Sequence, residues 1–224
     1  MSTARHSISS PNGATFSAEL FEPATANAPA VIVIHEWWGI NDDIRRIAGD
    51  FVAEGYAALA VDLYDGKSTT DPSEALGLAN DLKTGEAMDK IAGAVGFLAP
   101  THSKIGITGF CLGGSMALAA ALNVKGIAAA VPFYGTPREE FAQFKGDAPP
   151  ILGHYAKSDP FVRAERVREL EARAEAAGDR FEVHFYEGGH AFMRKGHPEY
   201  DAPSAELAWS RTLAFFRARL ALPA

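Results

Sequence analysis

The chain has 224 residues, 47% hydrophobic and 22% charged, with 21 basic against 28 acidic side chains and a formal charge of -7. That length suits one α/β domain over 1–224 and not clearly two, and the acidic balance argues against a general nucleic-acid binder. A lone cysteine, Cys111, excludes an intramolecular disulfide and any metal site built on clustered cysteines. The polar start, Met1 to Pro11, lacks the apolar core of a secretory signal, and no apolar run is long enough to span a bilayer. The expectation is therefore a cytoplasmic protein that binds neither membrane nor nucleic acid.

In chain order, Pro11-Asn12-Gly13 is a turn signal between two short runs and predicts a β-hairpin over Ser7 to Phe21. Ala30 to Ile34 is a continuous apolar run, the pattern of a strand buried on both faces. Asn41-Asp42-Asp43 then caps a helix running to about Glu54 and closed by Gly55. Tyr56 to Val61 is a second buried strand. Pro72-Ser73 opens a helical region reaching Leu98, which its glycines are expected to break in two. Further strands are predicted at Lys104–Thr108, Ile127–Phe133, Ile151–Tyr155 and Phe181–Tyr186. Helices are expected at Ser115–Asn123, Pro160–Ala177 and Pro203–Leu220. Strands alternating with helices predict an α/β fold: a doubly wound, mostly parallel sheet with an N-terminal β-hairpin. Active sites of such sheets lie at the C-terminal strand ends.

The stretch Gly109-Phe110-Cys111-Leu112-Gly113-Gly114 lies between a predicted strand and a predicted helix. Strand, glycine-flanked turn and helix make the nucleophile elbow of an α/β-hydrolase, whose usual pattern is G-x-S-x-G; cysteine stands here in the serine's place. The geometry would raise the sulfur above the sheet and aim a helix N-terminus at it. The motif alone equally fits a small buried cysteine behind a tight turn.

A cysteine nucleophile needs a base, and the base an orienting acid; in this fold they follow it in the order acid, then histidine. Asp159 follows a predicted strand and is either that acid or the N-cap of a helix starting at Pro160. His190, within Gly188-Gly189-His190-Ala191-Phe192, directly follows the final strand, with two glycines that let the backbone bend, whereas His197 lies in a charged stretch. One oxyanion donor is expected from the backbone N–H of Leu112, the other from Trp37 in the loop after an earlier strand. Glu36 beside it is either a solvated loop residue or a carboxylate that hydrogen-bonds the neutral thiol at rest.

These segments together resemble the dienelactone hydrolase (carboxymethylenebutenolidase) family. The resemblance spans nearly the whole chain and rests on His35-Glu36-Trp37-Trp38-Gly39, Asp62-Leu63-Tyr64, the Cys111 elbow, Phe133-Tyr134-Gly135, Ser158-Asp159-Pro160 and Gly189-His190-Ala191-Phe192. It implies Cys111 as nucleophile, Asp159 and His190 completing a triad, and Glu36 controlling the thiol. Tyr64 and Tyr134 are implied beside the substrate, a small carboxylate-bearing lactone, in a monomer needing no metal or organic cofactor. The family holds the substrate carboxylate with two arginines. Arg194 matches one, whereas Asp65-Gly66-Lys67 has glycine where the other is expected. Lys67 could supply a point charge there but not a bidentate fork; Arg194 and Lys67 are otherwise solvated surface charges. The departure at Gly66 leaves a broader carboxylesterase open. A catalytically inactive ligand-binding protein and a thiol redox sensor are the rivals from other classes.

Overall fold

The computed structural model describes residues 2–221, and within them eight strands form one sheet. They are β1 (Ser2–Ser9), β2 (Thr15–Glu22), β3 (Ala30–Ile34), β4 (Ala57–Val61), β5 (Ile105–Phe110), β6 (Ala129–Phe133), β7 (Ile151–Ala156) and β8 (Phe181–Tyr186). Their spatial order is β1-β2-β4-β3-β5-β6-β7-β8. The hairpin β1–β2 pairs antiparallel, and β2 pairs antiparallel to β4; every other pairing is parallel.

The helices are α1 (Asp42–Ala53), α2 (Pro72–Asp81), α3 (Thr84–Leu98), α4 (Leu112–Asn123), α5 (Ala164–Ala177) and α6 (Ala202–Leu220). Strand β3 shows why they lie on both faces. Ala30, Ile32 and Ile34 point into a core shared with α3, α4 and α5, while Val31 and Val33 point into one shared with α1 and α6. A strand covered on both sides reads as an unbroken apolar run. Among the described residues no helix is long and apolar enough to cross a membrane.

Most expected boundaries hold. Asn41 caps α1 by accepting the Ile44 N–H at 3.1 Å, and Gly55 closes it at φ +90°. The break between α2 and α3 falls elsewhere than expected. It lies at Leu82 and Lys83, whose ψ values of 117° and 124° are extended, while Gly77, Gly85 and Gly93 sit inside helices. Helix α5 starts at Ala164 instead of Pro160 because the Asp159 carboxylate folds Phe161 and Val162 into a turn.

His154, on β7, is fully buried and its hydrogen bonds run in one direction only. The Thr212 hydroxyl donates to the Ala208 carbonyl at 2.9 Å, so it accepts from His154 Nε2–H at 3.0 Å. The Tyr186 oxygen accepts from Arg211 at 3.0 Å, leaving its hydrogen for His154 Nδ1 at 2.8 Å. The ring is neutral and ties β7 and β8 to α6. Burial, with Arg211 and His184 nearby, pushes its pKa well below 6.5. Buried His35 is likewise lowered from 6.5 by burial.

Below about pH 6.5 the unfolded chain therefore takes up protons that the folded chain refuses, and stability falls with pH. His190, whose pKa is raised, is charged in both states there and adds no slope. The unfolding free energy should drop by up to about 1.4 kcal/mol per pH unit for each buried neutral histidine. His154→Gln, followed by urea titration between about pH 7 and pH 5, should lose one such share relative to wild type. Parallel pH profiles for the two proteins would contradict the assignment of a neutral His154.

Candidate active site

The elbow forms as glycine chemistry requires. Cys111 ends β5 with φ +54° and ψ -115°, a conformation that costs a side-chain-bearing residue about 1–3 kcal/mol. A Cβ on Gly109 would collide with the Gly113 carbonyl, one on Gly113 with the Ile34 carbonyl, and one on Gly114 with the Phe133 carbonyl. The Cys111 N–H donates to the Phe133 carbonyl at 3.1 Å, and its own carbonyl accepts from Ser115 at 3.1 Å. Helix α4 starts at Leu112, three residues earlier than its alanine-rich stretch suggests. The half-buried sulfur thus stands at the first turn, where the Leu112 N–H lies among the donors without an intrahelical acceptor.

His190 meets this elbow from the loop after β8. Its Nδ1–H donates to Asp159 Oδ2 at 2.7 Å, with the Asp159 side chain fully buried. That leaves Nε2 for the sulfur. Desolvation lowers the imidazole pKa, but hydrogen bonds to Asp159 and Cys111 and their charges outweigh it and push it up to about 10. Asp159 does not choose between its two expected roles. Oδ1 accepts the N–H groups of Phe161 at 2.8 Å and Val162 at 3.0 Å while Oδ2 holds His190. It caps a turn, not a helix.

The loop after β3 packs against the loop after β4. His35 Nδ1–H donates to the Glu36 carbonyl at 2.5 Å, and Nε2 accepts the Leu63 N–H at 3.1 Å. Asp62 receives N–H bonds from Tyr64 at 2.9 Å and Gly66 at 2.5 Å. Gly39, at φ +81°, lets the first loop touch the Lys67 carbonyl. These braces hold half-buried Trp37 at the C-terminal edge of the sheet. Tyr64 is buried with its ring 4.8 Å from that of His35, and among the described residues its hydroxyl has no hydrogen-bond partner. Burial, and secondarily the charge at Cys111, raise its pKa.

Glu36 departs from expectation. The anticipated bond to the Cys111 thiol is not formed; among the described residues, its carboxylate accepts from the Tyr134 hydroxyl at 3.3 Å. Burial raises the Glu36 pKa, opposed by the charges of Arg194 and His190. Tyr134, at φ +38°, also places its ring 5.2 Å from His190. Arg194 Nε lies 3.5 Å from Asp43, with its guanidinium over the Trp38 ring at 5.1 Å. Exposed Lys67 is not brought to Cys111, Asp159 and His190. It borders a separate cavity of about 160 Å³ shared with Arg5, Ser17, Glu19, Arg45 and Asp62.

Phe161 escapes the sequence reading. Its ring stands edge-on to His190 with centroids 4.9 Å apart. Assigning Pro160–Ala177 to one amphipathic helix hid it. The signal available was an aromatic residue two positions after Asp159, preceding the helix's charged stretch.

The model of the dienelactone hydrolase family matches residues 16–220 of this chain. The protein named Protein usf of Aquifex pyrophilus is 35% identical over 203 residues, which is 84% of this chain and 87% of the relative. The carboxymethylenebutenolidase of Pseudomonas putida is 33% identical over 224 residues, covering 93% and 94% of the two chains. Among solved structures, a dienelactone hydrolase-like promiscuous phosphotriesterase from metagenomic libraries superposes with a TM-score of 0.81 over 98% of this chain and 99% of its own. At 22% identity it shows the shared fold alone. With its Cys111 elbow at the C-terminal edge of a mostly parallel sheet, the chain belongs to the dienelactone hydrolase family of the α/β-hydrolase superfamily and is a carboxylic ester hydrolase.

Proposed function

We propose that the protein hydrolyses a small ester or lactone through a Cys111 acyl-enzyme, with a carboxylate-bearing dienelactone as the substrate type. The observation that carries this reading is the Asp159–His190 bond, with the His190 pKa raised first by Asp159 and then by the Cys111 sulfur. In the proposed attack the sulfur reacts as the thiolate, its proton carried by the His190 ring.

The thiolate attacks the ester carbonyl, and the N–H groups of Leu112 and Trp37 receive the oxyanion. Collapse breaks the ester C–O bond, and His190 Nε2–H gives its proton to the departing oxygen. The thioester no longer carries the sulfur's negative charge, so the imidazole stays neutral and takes a proton from water. The resulting hydroxide equivalent cleaves the thioester, releasing the acid and restoring the pair. Glu36 acts as a buried proton-holding group beside the sulfur. Its burial disfavours a full second negative charge in the site, against the opposing pull of Arg194, His190 and the Tyr134 hydroxyl.

A second reading, a carboxylesterase of neutral esters, is favoured by the cation placement. Arg194 is occupied by Asp43 and Trp38, and Lys67 faces a different cavity. Arg194→Ala separates the two. Under the dienelactone reading it should lower kcat/KM for a carboxylated ester by about 10-fold or more, with a much smaller effect on its methyl-capped analogue. Equal losses on both substrates would favour the neutral-ester reading.

Cys111→Ala should keep the fold, because the collisions that shape the elbow involve glycines and not the sulfur. It should lower turnover by about 10³-fold or more. Intact-protein mass spectrometry of quenched wild-type turnover should detect an acyl adduct on Cys111, most readily with a slowly released acyl group. Near-normal activity of the alanine variant would sink the covalent mechanism.

A further inference from the structure

Phe161 is the most exposed large hydrophobic side chain among the described residues, at 77%. It is not loose. Its N–H donates to Asp159 Oδ1 at 2.8 Å, and the other oxygen of the same carboxylate holds His190. Its ring touches the imidazole edge-on. One carboxylate therefore sets the positions of both the base and an uncovered aromatic face.

The occupant of that face follows from the proton path. Nδ1 of His190 is committed to Asp159, so the departing oxygen must come to Nε2 to be protonated. The group carried by that oxygen then lies beside the imidazole, on which the exposed Phe161 ring also packs. We infer that Phe161 is a specificity residue forming the leaving-group wall, favouring esters whose leaving group is planar and conjugated, a phenolate or enolate, over small alkyl alcohols. This rests on the cysteine acyl-enzyme reading above. The chemistry is consistent: a flat π-system gains offset or edge-on contact with the ring, which a methoxy or ethoxy group is too small to make.

The test compares kcat/KM for phenyl acetate and methyl acetate, which share one acyl group, in wild type and variants. Phe161→Ala should lower the phenyl-to-methyl ratio by about 3- to 10-fold, mainly through KM, and Phe161→Trp should restore it. Leu207→Ala removes another exposed hydrophobic side chain, on α6, and should leave the ratio at the wild-type value. Equal losses on both esters for Phe161→Ala would reduce Phe161 to a prop for His190 and overturn the proposal. An unchanged ratio, with turnover still dependent on Cys111, would overturn it alone. Turnover of either ester surviving Cys111→Ala would overturn the acyl-enzyme reading on which it rests.

Discussion

The site depends on one backbone constraint: Cys111 is held at positive φ where strand β5 turns into helix α4. The conformation is unfavourable for any residue with a side chain, and the surroundings enforce it from both sides. Gly109, Gly113 and Gly114 let the strand, the helix and the neighbouring β3 and β6 carbonyls come within atomic contact. Gly135, just past β6, closes the clasp, since a Cβ there would strike the Cys111 carbonyl and the Ser115 nitrogen. Tyr134, whose ring lies 5.2 Å from that of His190, also adopts positive φ at this edge of the sheet. The adjoining parallel strands and the two apolar cores supply the rigidity that keeps such geometry in place.

Electrostatics complete what the backbone begins. The Asp159 side chain is buried, and its two oxygens are used by three donors: the His190 ring and the Phe161 and Val162 amides. Orientation of the His190 ring and folding of the adjacent turn are thereby one event. Glu36 sits deeper, bonded to Tyr134 and facing Arg194, which is itself shared with Asp43 and Trp38. The Asp159 carboxylate is thus matched by its three donors, and the sulfur faces His190.

The fold was legible because its signals are local or periodic. Ala30 to Ile34 can only be a strand covered on both faces, and Asn41 and Gly55 punctuate α1 by side-chain and backbone chemistry confined to a few residues. The elbow was legible for the same reason, and the order Cys111, Asp159, His190 places these residues after β5, β7 and β8. What was hidden depends on contacts distant in sequence. The turn at Asp159 overrides an amphipathic pattern that begins at Pro160, because a carboxylate fixed by His190 captures two amides. The α2–α3 break at Leu82 and Lys83 ignores nearby glycines, which helices accommodate when packing compensates. Glu36 was expected at the thiol because the two share an edge of the sheet; nothing in the sequence reveals that Tyr134, 98 positions away, takes the bond. Lys67 is adjacent to Gly66 in the chain, yet its loop turns it toward the Arg5 and Arg45 side.

The ultraviolet absorbance of the thiolate in ligand-free protein is the most direct probe of how this site rests. Cys111 is the only cysteine, so the signal has one source. If sulfur and His190 form an ion pair, wild type shows the thiolate band at neutral pH, and His190→Ala loses it until the medium is alkaline. A neutral wild-type protein without the band, gaining it only when a carboxylated ligand is added, would instead mean that the thiol is ionised by Glu36 on demand, and would contradict the ion pair.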